Sequence, residues 1–123
     1  MVNHTYLGDQ PSVFEAHEML SKMTELNINA LIMMTRLVTE QMDHSQPGHI
    51  INVGSMVGHK VYPIPITHTY TGTKFAVRAM TEATKQELTA IKSRVRCSLF
   101  SPGKVCTEFL QVAGENLETR SAK

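Results

Sequence analysis

Cysteine is scarce: Cys97 and Cys106 are the only two among 123 residues. Neither belongs to a CxxC pair or to a Cys/His cluster at zinc spacing, so no metal site is expected and both are read as reduced thiols of a cytoplasmic protein. An excess of one charge is also missing. Twelve basic residues stand against eleven acidic ones, net +1, and the basic residues are scattered. That leaves no electrostatic footprint for nucleic acid. Long apolar runs are absent too: the most apolar window, Ala30 to Val38, contains Arg36 and is far shorter than the roughly 20 residues a membrane-spanning helix needs. The opening MVNHTYLGDQPS has neither the basic region nor the apolar stretch of a signal peptide. Without such a signal, the glycosylation pattern Asn3-His4-Thr5 carries little weight. There are no repeats and no low-complexity linker. At 13.7 kDa, with 41% hydrophobic and 19% charged residues, the chain has ordinary globular composition and room for one domain.

The order of elements follows from spacing and punctuation. Ser12-Val13-Phe14-Glu15, after Pro11, has the form of a capping box, in which serine and glutamate satisfy each other's free amides at a helix start. Apolar residues then recur at three-and-four spacing from Met19 to Val38, which predicts a helix ending near Met42, before the turn Asp43-His44-Ser45-Gln46-Pro47-Gly48. His49 to Val53 is a short, nearly continuous apolar run ending at Gly54-Ser55, the pattern of a strand buried on both faces. A loop with Gly58, Pro63 and Pro65 leads to a second helix, predicted from Tyr70 to Ile91, and Arg94 to Phe100 forms a second strand closed by Ser101-Pro102-Gly103. Helix, strand, helix, strand is the rhythm of a parallel α/β sheet. Two strands are too few for a buried parallel sheet, so open edges are expected, and with them poor independent stability or association with another chain. Residues 111–123 are polar and poorly periodic, an irregular tail.

Tyr70 and Lys74 stand one helical turn apart and so share a face. At about 5 Å and an effective dielectric of about 20, the ammonium favours the phenolate by roughly 3 kcal/mol, about two pKa units. Such a shift makes a phenol useful as acid and base near neutrality. On spacing alone, the plainer reading is a helix start with a packed tyrosine and a solvated lysine. Ser55 changes the balance, because it follows its strand at the carboxyl end, where ligands of open α/β sheets sit. By itself it also reads as a turn serine.

Together, Ile51-Asn52-Val53-Gly54-Ser55, Tyr70-Thr71-Gly72-Thr73-Lys74 with Phe75-Ala76-Val77, and Ser101-Pro102-Gly103 with Thr107 resemble the catalytic half of the short-chain dehydrogenases/reductases. The resemblance covers roughly residues 12–110. His49-Ile50-Ile51-Asn52, Gly58-His59-Lys60-Val61 and Thr67-His68 bring it close to the subgroup of insect farnesol dehydrogenases and keto-steroid reductases. It implies a partial Rossmann-like, three-layer parallel sheet and NAD(P)-dependent interconversion of a secondary alcohol and a carbonyl compound, with an apolar isoprenoid or steroid as a candidate substrate. Tyr70 is then the general acid/base, Ser55 orients and polarises the carbonyl, and Lys74 lowers the phenol pKa and binds the nicotinamide ribose. Asn29 holds the relay water, while nearby Asn27 reads as a tolerated surface residue. Tyr70, Lys74, Pro102, Gly103 and Thr107 contact the NADP or NAD. The family's two long helices pair across a dimer interface; Ala76, Ala83 and Ala90 would permit close approach there, or internal packing against the sheet.

The sequence departs from that pattern in lacking the TGxxxGxG loop and the Asn-Ala-Gly strand end of the dinucleotide-binding half. Residues 1–123 are therefore expected to form a single partial domain, a fragment with little affinity for NADP(H) by itself. The alternative is a catalytically silent module that pairs with a copy of itself or with a full-length relative.

Overall fold

The computed structural model of the chain describes residues 17–63 and 68–104. The expected capping box at residues 12–15, the tail at 111–123, Pro65, Cys106 and Thr107 lie outside them. A first helical stretch comprises α1 (His17–Thr24), a π-helical segment (Glu25–Asn29) and α2 (Ala30–Gln41). Then follow β1 (Gly48–Val53), a 3-10 turn (Met56–Gly58), α3 (His68–Ala90) and β2 (Val95–Phe100). The strands pair in parallel, from Gly48 opposite Val95 to Val53 opposite Phe100.

Local chemistry explains where these elements stop. Asp43 accepts from the Ser45 amide at 2.9 Å and from its hydroxyl at 2.7 Å, an Asx turn that takes over from the helix. His44 then ties the amino ends of both strands together: one ring nitrogen lies 2.8 Å from Ser93 Oγ, the other 3.1 Å from the Thr39 carbonyl oxygen. Helix α3 closes on a Schellman motif, with the Lys92 amide on the Thr89 carbonyl at 3.0 Å and the Ser93 amide on the Leu88 carbonyl at 2.9 Å. Lys92 carries the left-handed turn at φ 53°, a position usually held by glycine.

The core lies between α3 and the sheet. Leu88, Val95 and Cys97 are buried together, with Met42 and Ile50 packed against them, and burial raises the Cys97 thiol pKa. Val77 and Thr81 are fully enclosed. The buried Asn52 amide donates to Thr81 Oγ1 at 3.0 Å, which satisfies a polar group that would otherwise be costly in the core. Strand β1 alternates in exposure, β2 does so from Val95 to Cys97, and Ile51, Val53 and Phe100 on the other face are more than half exposed. The described residues thus supply two of the three expected layers, the sheet and helices on one face.

Lys92→Gly should relieve the left-handed strain and stabilise the chain by about 1 kcal/mol. A higher urea midpoint for loss of the helical circular-dichroism signal is the measurement; an unchanged midpoint contradicts it.

Candidate active site at the carboxyl ends of the strands

Ser55 follows β1 with an extended backbone, φ −162° and ψ 158°, and caps the 3-10 turn by accepting from the Val57 amide at 3.3 Å. The turn is closed by Gly58 N–H donating to the Ser55 carbonyl at 2.9 Å. It rests directly on α3: a Cβ on Gly58 would lie 2.7 Å from the Lys74 carbonyl oxygen and 3.1 Å from its carbon. No side chain fits that gap, so glycine is what lets the turn and the helix meet. The contact places Ser55 beside Tyr70, near enough for the serine side chain to act on the phenol pKa. The Ser55 oxygen accepts from Val57, and its single proton remains available for one further partner.

Tyr70 and Lys74 share the face their spacing predicts. Lys74 Nζ lies 5.5 Å from the centre of the Tyr70 ring and donates to the Val53 carbonyl at 3.2 Å, capping the end of β1. The electrostatics correct the expectation that Lys74 depresses the phenol. The Tyr70 pKa is raised from its ordinary value, chiefly by burial, with the Ser55 hydrogen bond opposing, and Lys74 is not among the causes. Burial lowers the Lys74 pKa as well. The ammonium approaches the face of the ring and is held by a carbonyl, and withdrawal from water penalises both charged forms.

The two asparagines differ from expectation. Asn29 is exposed and turns back along its own helix, donating to Glu25 Oε2 at 2.7 Å. Asn27 points to α3 instead, donating to Thr73 Oγ1 at 3.0 Å, and that hydroxyl in turn donates to the Tyr70 carbonyl at 2.7 Å. Asn27 also lines a cleft of about 400 Å³ between α2 and the free edge of β1, together with Asn52, Lys74 and mainly apolar side chains such as Leu31 and Met34. Ser55 and Tyr70 are not among its lining; Lys74 joins the cleft to the serine and tyrosine. Sequence reasoning passed over Asn27, and the π-helical segment that carries both asparagines explains why, since it shifts the facing of every later residue relative to an unbroken α-helix.

After β2, Ser101-Pro102-Gly103 passes the same end of the sheet, with the Met56 amide donating to the Pro102 carbonyl at 3.0 Å. Gly103 is exposed, and a Cβ there would meet nothing within 4 Å. Among the described residues, no three His, Cys, Asp or Glu side chains are grouped to hold a metal ion, and no helix is long and apolar enough to cross a membrane.

A family model described as short chain dehydrogenase matches residues 3–118. The chain belongs to the short chain dehydrogenase family. It is 43% identical over 89 residues to human dehydrogenase/reductase SDR family member 11, covering 71% of this chain and 34% of that protein. To farnesol dehydrogenase of Aedes aegypti it is 36% identical over 94 residues, 76% of this chain and 38% of that one. A crystal structure of a short chain dehydrogenase from Burkholderia cenocepacia J2315 in complex with NADP superposes with a TM-score of 0.70 at 32% identity, covering 84% of this chain and 42% of that chain. The chain thus spans little more than a third of the length of these curated relatives.

The raised phenol sets the sign of a pH effect. A group whose folded pKa lies above its unfolded value contributes stability that is complete below the unfolded pKa and is lost as pH rises through the folded one. The stability of this short chain dehydrogenase should therefore fall through this group as pH rises beyond about 10. The depressed Lys74 acts in the opposite sense, gaining stability between its lowered and ordinary pKa values. Urea titrations across that range should show the falling component absent from Tyr70→Phe and retained in Lys74→Met. An identical alkaline slope in Tyr70→Phe and wild type contradicts it.

Proposed function

We propose that this chain carries the proton-transfer half of an NAD(P)-dependent oxidoreductase that interconverts a secondary alcohol and a ketone or aldehyde. The observation that carries the reading is the contact of the Ser55 turn with α3, which brings Ser55 beside Tyr70, with Lys74 one turn away on the same helix face.

In the direction of reduction, Tyr70 begins as a protonated phenol, the form its burial favours, and gives that proton to the carbonyl oxygen as charge develops there. Ser55 is a second donor to the same oxygen; it polarises the carbonyl and fixes its orientation. Lys74 stays beside the resulting phenolate as a cation, which keeps proton loss from Tyr70 from being prohibitively costly. Asn27, in the cleft that Lys74 also lines, takes the place expected of Asn29: it would hold the water through which a proton from solvent reaches the lysine and phenol. In the direction of oxidation the same groups act in reverse, Tyr70 accepting the alcohol proton.

The residues present suit one end of a nicotinamide cofactor. Lys74 is available to the ribose and Pro102 and Gly103 to the ring, since all three lie where β1 and β2 end; Thr107 belongs with them by the family pattern. When bound, the nicotinamide supplies or accepts the hydride. The NADP held by the Burkholderia cenocepacia relative supports NADP as the dinucleotide, and the likeness to a farnesol dehydrogenase supports an apolar isoprenoid-like alcohol as substrate. No glycine-rich pyrophosphate loop occurs in the 123 residues, so cofactor binding to this chain alone is expected to be weak.

A second reading, a catalytically silent module that pairs with a copy or a relative, is favoured by the exposed Ile51, Val53 and Phe100 on the uncovered sheet face. Turnover separates the two. With millimolar NADPH and a ketone, the chain should oxidise cofactor, and Tyr70→Phe should lower the rate at least about 100-fold. Asn27→Ala should cost about tenfold in kcat, and Asn29→Ala less than about twofold. No turnover in wild type favours the module, and a larger loss at Asn29 than at Asn27 gives the relay role to Asn29.

A further inference from the structure

Three histidine–serine pairs join the first half of the chain to the second. His44 meets Ser93 at the amino ends of the strands and His49 meets Ser98 on the uncovered sheet face, each at 2.8 Å. The third lies at the catalytic end: His59 Nε2 is 2.8 Å from Ser101 Oγ. His59 directly follows the turn that carries Ser55, and Ser101 opens the segment that carries Pro102 and Gly103. The Ser101 hydroxyl also packs on the backbone before Ser55, since a Cβ on Gly54 would come within 3.1 Å of it.

Backbone bonds hold the two segments together on either side of Ser55. Gly54 N–H donates to the Phe100 carbonyl at 2.7 Å and Met56 N–H to the Pro102 carbonyl at 3.0 Å. At the far side of the turn, the tether is the His59 ring. His59 is exposed, and an exposed hydrogen bond adds little to global stability. Its effect is therefore local, on the gap between two loops whose separation decides how a carbonyl and a nicotinamide can lie together.

We propose that His59 is a positioning residue that acts through Ser101 to hold the Ser101-Pro102-Gly103 segment at a set distance from the Ser55 turn. The role rests on the oxidoreductase reading given above. His59 acts through the Ser101 hydroxyl; it helps fix where the nicotinamide-facing segment stands relative to the serine that orients the carbonyl.

Amide hydrogen exchange on the 15N-labelled 123-residue chain tests the tether without requiring activity. His59→Ala and Ser101→Ala should each speed exchange at Met56 about fivefold, the double variant no further, and the core amides of Leu88 and Cys97 should be unchanged. Unchanged exchange at Met56, additive single effects, or equal acceleration in the core overturns the role. In the turnover assay with NADPH and a ketone, His59→Ala should raise the KM for NADPH about fivefold with kcat within about twofold; an effect confined to kcat also overturns it. A wild-type chain without turnover sinks the oxidoreductase reading alone, and an unaltered Met56 amide sinks the positioning role alone.

Discussion

Where the 3-10 turn meets α3, backbone touches backbone, and the relative placement of Ser55, Tyr70 and Lys74 depends on that contact. Gly58 has no Cβ, and the space one would fill is taken by the Lys74 carbonyl. The residue that permits the approach is three positions after Ser55, and the carbonyl it approaches belongs to the lysine one turn after Tyr70. Hydroxyl, phenol and ammonium are thus brought together by the tightness of a packing contact. A serine and a phenol set side by side are only as well placed as the elements beneath them, because shifts of about 1 Å in such arrangements alter rates by orders of magnitude.

Much of this was legible in the sequence, for physical reasons that can be named. Strand β1 was read from the apolar run after Pro47-Gly48 and β2 from the run closed by Ser101-Pro102, since glycine and proline punctuate the backbone irrespective of tertiary context. The end of α3 was placed one residue late because its stop signal is not glycine: Lys92 adopts the left-handed turn, and no propensity marks it. The choice between the asparagines failed on phase. Residues two apart on a helix face nearly opposite ways, so only one of Asn27 and Asn29 can reach α3, and which one depends on a π-helical segment that periodicity does not reveal. The run Ile50-Ile51-Asn52-Val53 suggested burial on both faces, whereas among the described residues helices cover only the face of Ile50 and Asn52.

The chemistry shows a similar division. Spacing correctly placed Tyr70 and Lys74 on one face, but Coulomb's law applied to the pair alone gave the wrong direction for the phenol pKa. Withdrawal from water acts on both groups, raising the phenol pKa and lowering that of the amine, so each shifts towards its neutral form. In the proposed reduction the neutral phenol is the proton donor. The ammonium would matter most after the proton has left, when there is a negative oxygen to stabilise.

Because Tyr70 and Lys74 ride on a single helix, their spacing is preserved however that helix tilts or slides against the sheet. Ser55 rides on the neighbouring turn. The site therefore has one adjustable coordinate, the seam between turn and helix, and a family member could retune its chemistry for a bulkier or slimmer carbonyl compound by altering that seam while leaving all three reactive side chains untouched.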